Sequence, residues 1–375
     1  MASPSTATET SLDDVLEYIR PAVRDRKAYI VDAPDNAPVK LNQNESPFDL
    51  PPELKAEIIE AISDIEFNRY PSEQPTQLRD ALAEYTGHPA EGIIIGNGSN
   101  ELTYTFGQAM IDPGTPVVLP RPMFSLYEKV VRLSAGELID VPPRDDLRFD
   151  TEALVQAVKT HQPALTVITS PNNPTGLVMP LDEIERIVQA ASGFVVVDEA
   201  YAEFNPEERA NELLERYPNV ILLRTFSKGL GLAGLRIGYL MAHPGVAHEL
   251  MKARLPFMVD RIAETVALVL LGRPDLLQER VAQIRSSRNA LAEGLRAIEG
   301  VETVPSHANF VLFRTALPAP ELTRRMADRG VVVRDMSGYR ELTHHVRVNA
   351  GTPDENKAFL AALEDTLHAA QSTAP

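Results

Sequence analysis

Six short apolar runs constrain the fold more than any other feature of the chain: Ile93 to Ile95, Pro116 to Leu119, Leu165 to Thr169, Phe194 to Val197, Val220 to Leu223 and Ile237 to Met241. They are continuous rather than alternating, so strands made from them are apolar on both faces. Between and around them, amphipathic patterns predict helices over Gln77 to Tyr85, Asn100 to Ile111, Leu126 to Leu133, Thr151 to Thr160, Leu181 to Ala191 and Asn211 to Tyr217. Strand and helix in alternation predict an α/β fold, with a mostly parallel central sheet covered by helices on both faces. In such a sheet, ligands bind beyond the carboxyl ends of the strands.

The flanks read differently. Residues 1–10 are rich in Ser, Thr and Ala and predict a loose tail, after which Ser11 can cap a short helix running through Tyr18. Val39 to Pro47 is an extended polar segment, followed by a helix from Pro52 to about Ile65; two asparagines close together there read as a turn, with Asn44 also a candidate ligand. After a long helix, Leu276 to Ile298, come strands Phe310 to Phe313, Val331 to Arg334 and His345 to Val348, with helices Ala319 to Asp328 and Asp354 to His368. We expect three parts: an N-terminal arm and helix (1–40), a large unit (41–274) and a smaller C-terminal α/β unit (275–375).

Composition removes several functions. The net charge of −17 argues against a nucleic-acid-binding surface or an anchor to anionic membranes, while leaving room for a local basic pocket. There is no cysteine, which excludes disulfides, thiolate metal sites and a cysteine nucleophile. The eight histidines are scattered, so no metal site is expected. No apolar run approaches the roughly 18 residues of a spanning helix, and no signal-peptide pattern is visible, so the sequence predicts a soluble cytoplasmic protein.

Chemistry collects where the strands end. Ile93 to Ile95 runs into Gly96-Asn97-Gly98-Ser99-Asn100, a glycine turn and a helix start whose free N–H groups form an anion seat, although a capped helix start with no ligand has the same pattern. Leu165 to Thr169 is followed by a turn carrying Asn173. Phe194 to Val197 ends abruptly in Asp198, an acid that needs a cation or donors to offset its desolvation. Val220 to Leu223 leads to Ser227 and Lys228 in a glycine-rich loop that reaches Arg236. An amine becomes a nucleophile near neutral pH when burial or neighbouring cations lower its pKa. Anion seat, amide, acid and amine together suit pyridoxal phosphate. Lys228 would carry its aldehyde covalently, Asp198 would keep its ring nitrogen protonated, and Asn173 and Tyr201 would bond its ring oxygen. Ser99, Asn100, Ser227 and Arg236 would hold its phosphate.

Asn173-Pro174-Thr175-Gly176, Asp198-Glu199-Ala200-Tyr201 and Ser227-Lys228 followed by Arg236 resemble the class I/II aminotransferases of the fold-type I pyridoxal phosphate enzymes. Further stretches are similar to the histidinol-phosphate aminotransferase branch: Leu41 to Glu45, Arg69-Tyr70-Pro71, Pro122 to Tyr127, Arg224 to Lys228, Ala308-Asn309-Phe310 and Val333-Arg334-Asp335. The resemblance implies a ping-pong exchange of an amino group between a small-molecule donor and a keto acceptor. It points to histidinol phosphate with 2-oxoglutarate in histidine biosynthesis, with aromatic amino-acid transamination and threonine-phosphate decarboxylation as the alternatives. It also implies a homodimer in which Tyr70 reaches the neighbouring subunit's cofactor phosphate. Phe124 would stack on the cofactor ring, and Arg334 and Arg347 would hold the substrate's anionic end, with Asn44 beside it. Many members carry Tyr where this chain has Phe124 and Asp where it has Asn100, which removes one ring contact and leaves one side-chain contact of the seat in doubt.

Overall fold

The computed structural model describes residues 11–26, 28, 37–208 and 210–371, so the expected tail at 1–10 lies outside the described residues. In chain order the strands are β1 (Val39–Lys40), β2 (Ile93–Asn97), β3 (Pro116–Pro120), β4 (Glu137–Val141), β5 (Leu165–Thr169), β6 (Phe194–Asp198), β7 (Val220–Thr225), β8 (Ile237–Ala242), β9 (Glu302–Thr303), β10 (Phe310–Arg314), β11 (Val331–Val332), β12 (Arg334–Asp335) and β13 (His345–Asn349).

Seven strands form the central sheet in the order β2-β8-β7-β6-β5-β3-β4. The pairs β3–β4, β3–β5, β5–β6 and β6–β7 are parallel, and β8 is antiparallel to both of its neighbours. Every residue of β5, β7 and β8 is buried, which requires cover on both faces and explains their unbroken apolar sequences. Helices flank the sheet, including Gly98–Met110, Thr151–His161, Leu181–Ala190 and Arg261–Leu271. The mostly parallel α/β sheet expected from the apolar runs is the sheet observed. The topology also gathers the site. Strands β2, β3, β5, β6 and β7 run the same way, so their carboxyl ends share one edge; β8 runs against them and begins there, just after Arg236.

The C-terminal part packs the antiparallel sheet β12-β13-β10-β9 against helices Pro274–Ala297, Ala319–Ala327 and Pro353–Gln371, around Leu291, Val311, Phe313, Leu322, Val346 and Phe359. Two local expectations need correction. The single strand expected over Val331 to Arg334 is two: Val331 and Val332 pair in parallel with Val39 and Lys40, while Arg334 and Asp335 pair with β13. Val333, lying between them, is buried in the smaller core. The helix expected through Tyr18 spans Leu12–Leu16, started by a capping box between Ser11 and Asp14. Among the described residues, no helix is long and apolar enough to cross a membrane.

Candidate active site

At the start of the helix Gly98–Met110, the expected anion seat, the glycines leave no room for side chains. Gly98 opens the helix Gly98–Met110 at φ +73°, a conformation that L side chains rarely adopt, and a Cβ there would stand 2.7 Å from Arg236 Nη2. A Cβ on Gly238 would stand 2.2 Å from the Ser99 amide nitrogen. The Arg236 guanidinium thus lies against the helix start, and it donates to the Ser227 hydroxyl at 3.2 Å and to the Ala233 carbonyl at 3.0 Å. Ser99 is half-buried and Asn100 exposed, both in the first turn of the helix, where unpaired N–H groups and the helix dipole favour an anion.

Lys228 follows β7 on the same edge. Its amine donates to the Gln43 carbonyl at 2.9 Å. The residue keeps some contact with solvent, yet burial of the amine is the largest influence on it; with the positive charges of Arg347 and Arg236 opposing protonation and Glu45 favouring it, the pKa falls from 10.5 to about 7. Such an amine is substantially unprotonated at neutral pH, as a nucleophile or proton carrier must be.

At the end of β6, Asp198 is 8% exposed. Donors rather than a cation satisfy it: Tyr127 Oη at 2.7 Å and the Ala200 amide at 3.0 Å. Burial outweighs these bonds and raises its pKa from 3.8 to about 6. The cationic partner belongs instead to the next residue. Glu199 takes Arg224 Nη2 at 2.6 Å and Nε at 2.9 Å, both side chains nearly fully buried. Tyr201 packs edge-on against Phe310 at 5.3 Å, and its oxygen accepts from Asn44 Nδ2 at 2.9 Å. Asn44 itself sits in the left-handed region at φ 54°, held by the Asn349 side chain on its amide and by Asn309 Nδ2 on its carbonyl.

Arg347 closes the ring of contacts. It donates to Asn173 Oδ1 and to the Asn42 carbonyl, with its guanidinium 5.3 Å from the Phe310 ring centroid. Arg334 is its cross-strand partner. The sequence signature described as aminotransferase class I and II matches residues 36–363. The chain belongs to the class I and II aminotransferases. It is 41% identical over 350 residues to a histidinol-phosphate aminotransferase of Chlorobium phaeovibrioides, covering 93% of this chain and 97% of that one. Against the enzyme of the same name from Chlorobaculum tepidum it is 41% identical over 346 residues, or 92% and 99% of the two chains. The crystal structure of histidinol-phosphate aminotransferase from Sinorhizobium meliloti in complex with pyridoxal-5'-phosphate superimposes with a TM-score of 0.84 at 28% identity, covering 93% and 97%.

In this aminotransferase Lys228 and Arg347 donate to the Gln43 and Asn42 carbonyls, the adjacent Asn44 reaches Tyr201, Arg347 also meets Asn173, and Arg236 bonds Ser227 against the start of the helix Gly98–Met110. Phe124 is partly buried on the loop after β3, which is tied to the Asn173 loop by a 2.9 Å bond from Asn172 Nδ2 to the Pro122 carbonyl. Tyr70 stands apart: it is 84% exposed and stacks on Phe257 at 5.1 Å. Residue reading missed Tyr127 as the partner of Asp198 and the Gln43 carbonyl as that of Lys228. An Asp at a strand end calls for a donor, but nothing in the sequence says which helix supplies it. Among the described residues, no group of three or more His, Asp or Glu could hold a metal ion.

Proposed function

We propose that this aminotransferase uses pyridoxal phosphate to move an amino group between histidinol phosphate and 2-oxoglutarate, a step of histidine biosynthesis. The observation that carries the reading is Lys228: an amine tuned to about 7, on the same strand edge as an anion seat and within the charge field of Arg347. The residues present fit the cofactor. The glycine-lined seat with Arg236 and Ser227 suits a phosphate, Lys228 suits an aldehyde, and a buried carboxyl at Asp198 with a pKa near 6 suits a ring nitrogen. When bound, pyridoxal phosphate supplies an electron sink for the substrate carbon next to the amine.

The chain's own residues do the rest. Lys228 Nζ takes and returns the proton, its lowered pKa placing it between the two states. Asp198 holds a proton on the ring nitrogen, oriented by Tyr127. Asn173 keeps its amide nitrogen available while its oxygen is engaged by Arg347, and Tyr201 is oriented by Asn44. Phe124 would cover the face of the bound ring. Arg334 and Arg347 receive the anionic end of the substrate, with Asn44 beside them. Residues 41–274 form the cofactor unit and 275–375 the unit that brings the two arginines. The exposed Phe67, Tyr70, Leu255 and Phe257 support a homodimer with Tyr70 serving the neighbouring seat.

The test is a steady-state panel with 2-oxoglutarate as acceptor and histidinol phosphate, phenylalanine or threonine phosphate as substrate. Histidinol phosphate should give the highest kcat/KM. Preference for phenylalanine would move the assignment to aromatic amino acids, and carbon dioxide release from threonine phosphate would replace transamination by decarboxylation.

A further inference from the structure

Glu101 poses an electrostatic problem for the seat. It lies in the first turn of the helix Gly98–Met110, next in sequence to Ser99 and Asn100, and its Oε2 accepts from the Asn97 amide at 3.3 Å. Its carboxylate is packed so closely on the backbone that a Cβ on Gly96 would stand 2.3 Å from Oε2. A negative charge there benefits from the helix dipole, but it competes for the same field with any anion the seat is to hold.

Arg254 answers that charge. Its Nε meets Glu101 Oε1 at 3.1 Å and its Nη2 meets Oε2 at 2.7 Å, a two-pronged pair in which the arginine side chain is 1% exposed and the glutamate 17%. Thr105 Oγ donates to Oε1 at 3.2 Å, which completes the enclosure of the carboxylate. Arg254 lies between helices Pro244–Met251 and Arg261–Leu271, on a loop that a second bond fastens to the seat, from Asn97 Nδ2 to the Met258 carbonyl at 3.2 Å. The same loop holds Phe257 at φ 63°, where it stacks on Tyr70.

We propose that Arg254 is a positioning residue for the phosphate seat: it cancels the charge of Glu101, keeps that carboxylate turned away from the Ser99 and Asn100 amides, and ties the loop bearing Phe257 to the seat. The proposal rests on the reading of this seat as the holder of the cofactor's phosphate. It assigns a function to an arginine 153 residues from its partner, outside every motif of the strand ends.

The experiment titrates the full-length cofactor-free protein with pyridoxal phosphate and, separately, with pyridoxal, following the visible absorption of the bound cofactor. Arg254→Met should weaken pyridoxal phosphate about tenfold while leaving pyridoxal unchanged, because one uncompensated charge acts only on the phosphate. Arg254→Lys, or Glu101→Gln placed in the Arg254→Met background, should return most of the lost affinity. Should Arg254→Met not fold, Glu101→Gln alone keeps the test: with Arg254 left positive, the preference for pyridoxal phosphate over pyridoxal should increase. A preference unchanged in these variants, or an equal loss for both ligands, would overturn the role. A parent protein that binds pyridoxal as tightly as its phosphate would overturn the phosphate reading itself, and this proposal with it.

Discussion

Arg334 and Arg347 stand directly opposite each other across β12 and β13. Paired residues of antiparallel strands share a face, and like charges so placed repel. In the proposed reading the anionic end of the substrate lies between them, and each guanidinium contributes to holding it. Arg334→Gln should raise KM for the phosphate-bearing substrate by roughly 10- to 100-fold, the weight of a charge-assisted bond, with a smaller effect on kcat. Inorganic phosphate should raise the melting temperature of the parent more than that of the variant. Equal KM values would remove Arg334 from substrate binding.

If Lys228 carries the cofactor as proposed, its protonation governs loading. With its pKa lowered to about 7, the free amine predominates above that pH and is protonated below it. The rate of capture of pyridoxal phosphate by the cofactor-free protein should therefore level off above pH 8 and lie about tenfold lower at pH 6. Lys228→Ala should abolish turnover. Multiple turnovers by that variant at the parent's rate would disprove the assignment.

Asp198 makes an opposite-signed prediction about stability. Because burial raises its pKa from 3.8 to about 6, the native state holds a proton that the unfolded chain has released between those values. The stabilisation this gives is present below pH 4 and lost as pH rises through 6. In the cofactor-free protein, Asp198→Asn should thus be more stable than the parent above pH 6, by up to about 3 kcal/mol, with the advantage vanishing below pH 4. The same variant loaded with cofactor should lose about 100-fold or more in kcat. Thermal melts across pH check the first claim and steady-state rates the second.

The neighbouring pair behaves in the conventional direction. Removing one partner from Glu199–Arg224 strands a buried charge, so Arg224→Met should cost about 3–5 kcal/mol in a denaturant titration. The loss should be of the large core as a whole, since Glu199 also anchors the Ala210 amide at 2.7 Å and Arg224 contacts Asn211.

Tyr70 and Phe257 present their stacked rings largely to solvent in a single chain. If they lie in a homodimer interface, Tyr70→Ala combined with Phe257→Ala should shift the protein toward monomer in sedimentation velocity. A parent protein that is monomeric at all concentrations would reject the interface.

The central sheet was legible because continuous apolar runs have one physical solution, strands with both faces covered. The same logic failed at β4, Glu137–Val141, an edge strand only partly buried, whose mixed pattern does not announce a strand. The helix Arg261–Leu271 is also absent from the expected elements; its Ala263, Val266, Ala267 and Leu270 are buried in the large core. In the site, Asp198 ends β6, Asn173 and Lys228 lie in the loops that follow β5 and β7, and Arg236 stands just before β8, so the apolar runs placed each of them near one edge. Partners from remote elements could not be placed in this way: Tyr127 reaches Asp198 across 71 residues, and Arg254 reaches Glu101 across 153. Asp198 and Glu199 are adjacent acids with opposite solutions, one among donors and one against an arginine, and only the packing distinguishes them.

The parallel pairing of Val39–Lys40 with Val331–Val332 sets an order on assembly. The segment that caps the lysine, through the Gln43 carbonyl, is itself held by Asn349 across 305 residues. During synthesis, the strand edge with Lys228 emerges while its cover has nothing to pair with, and contacts of such sequence separation form late. A nascent chain stopped before residue 331 would carry its reactive amine uncovered. The earliest-made stretch of the site is thus expected to be the last to find its place.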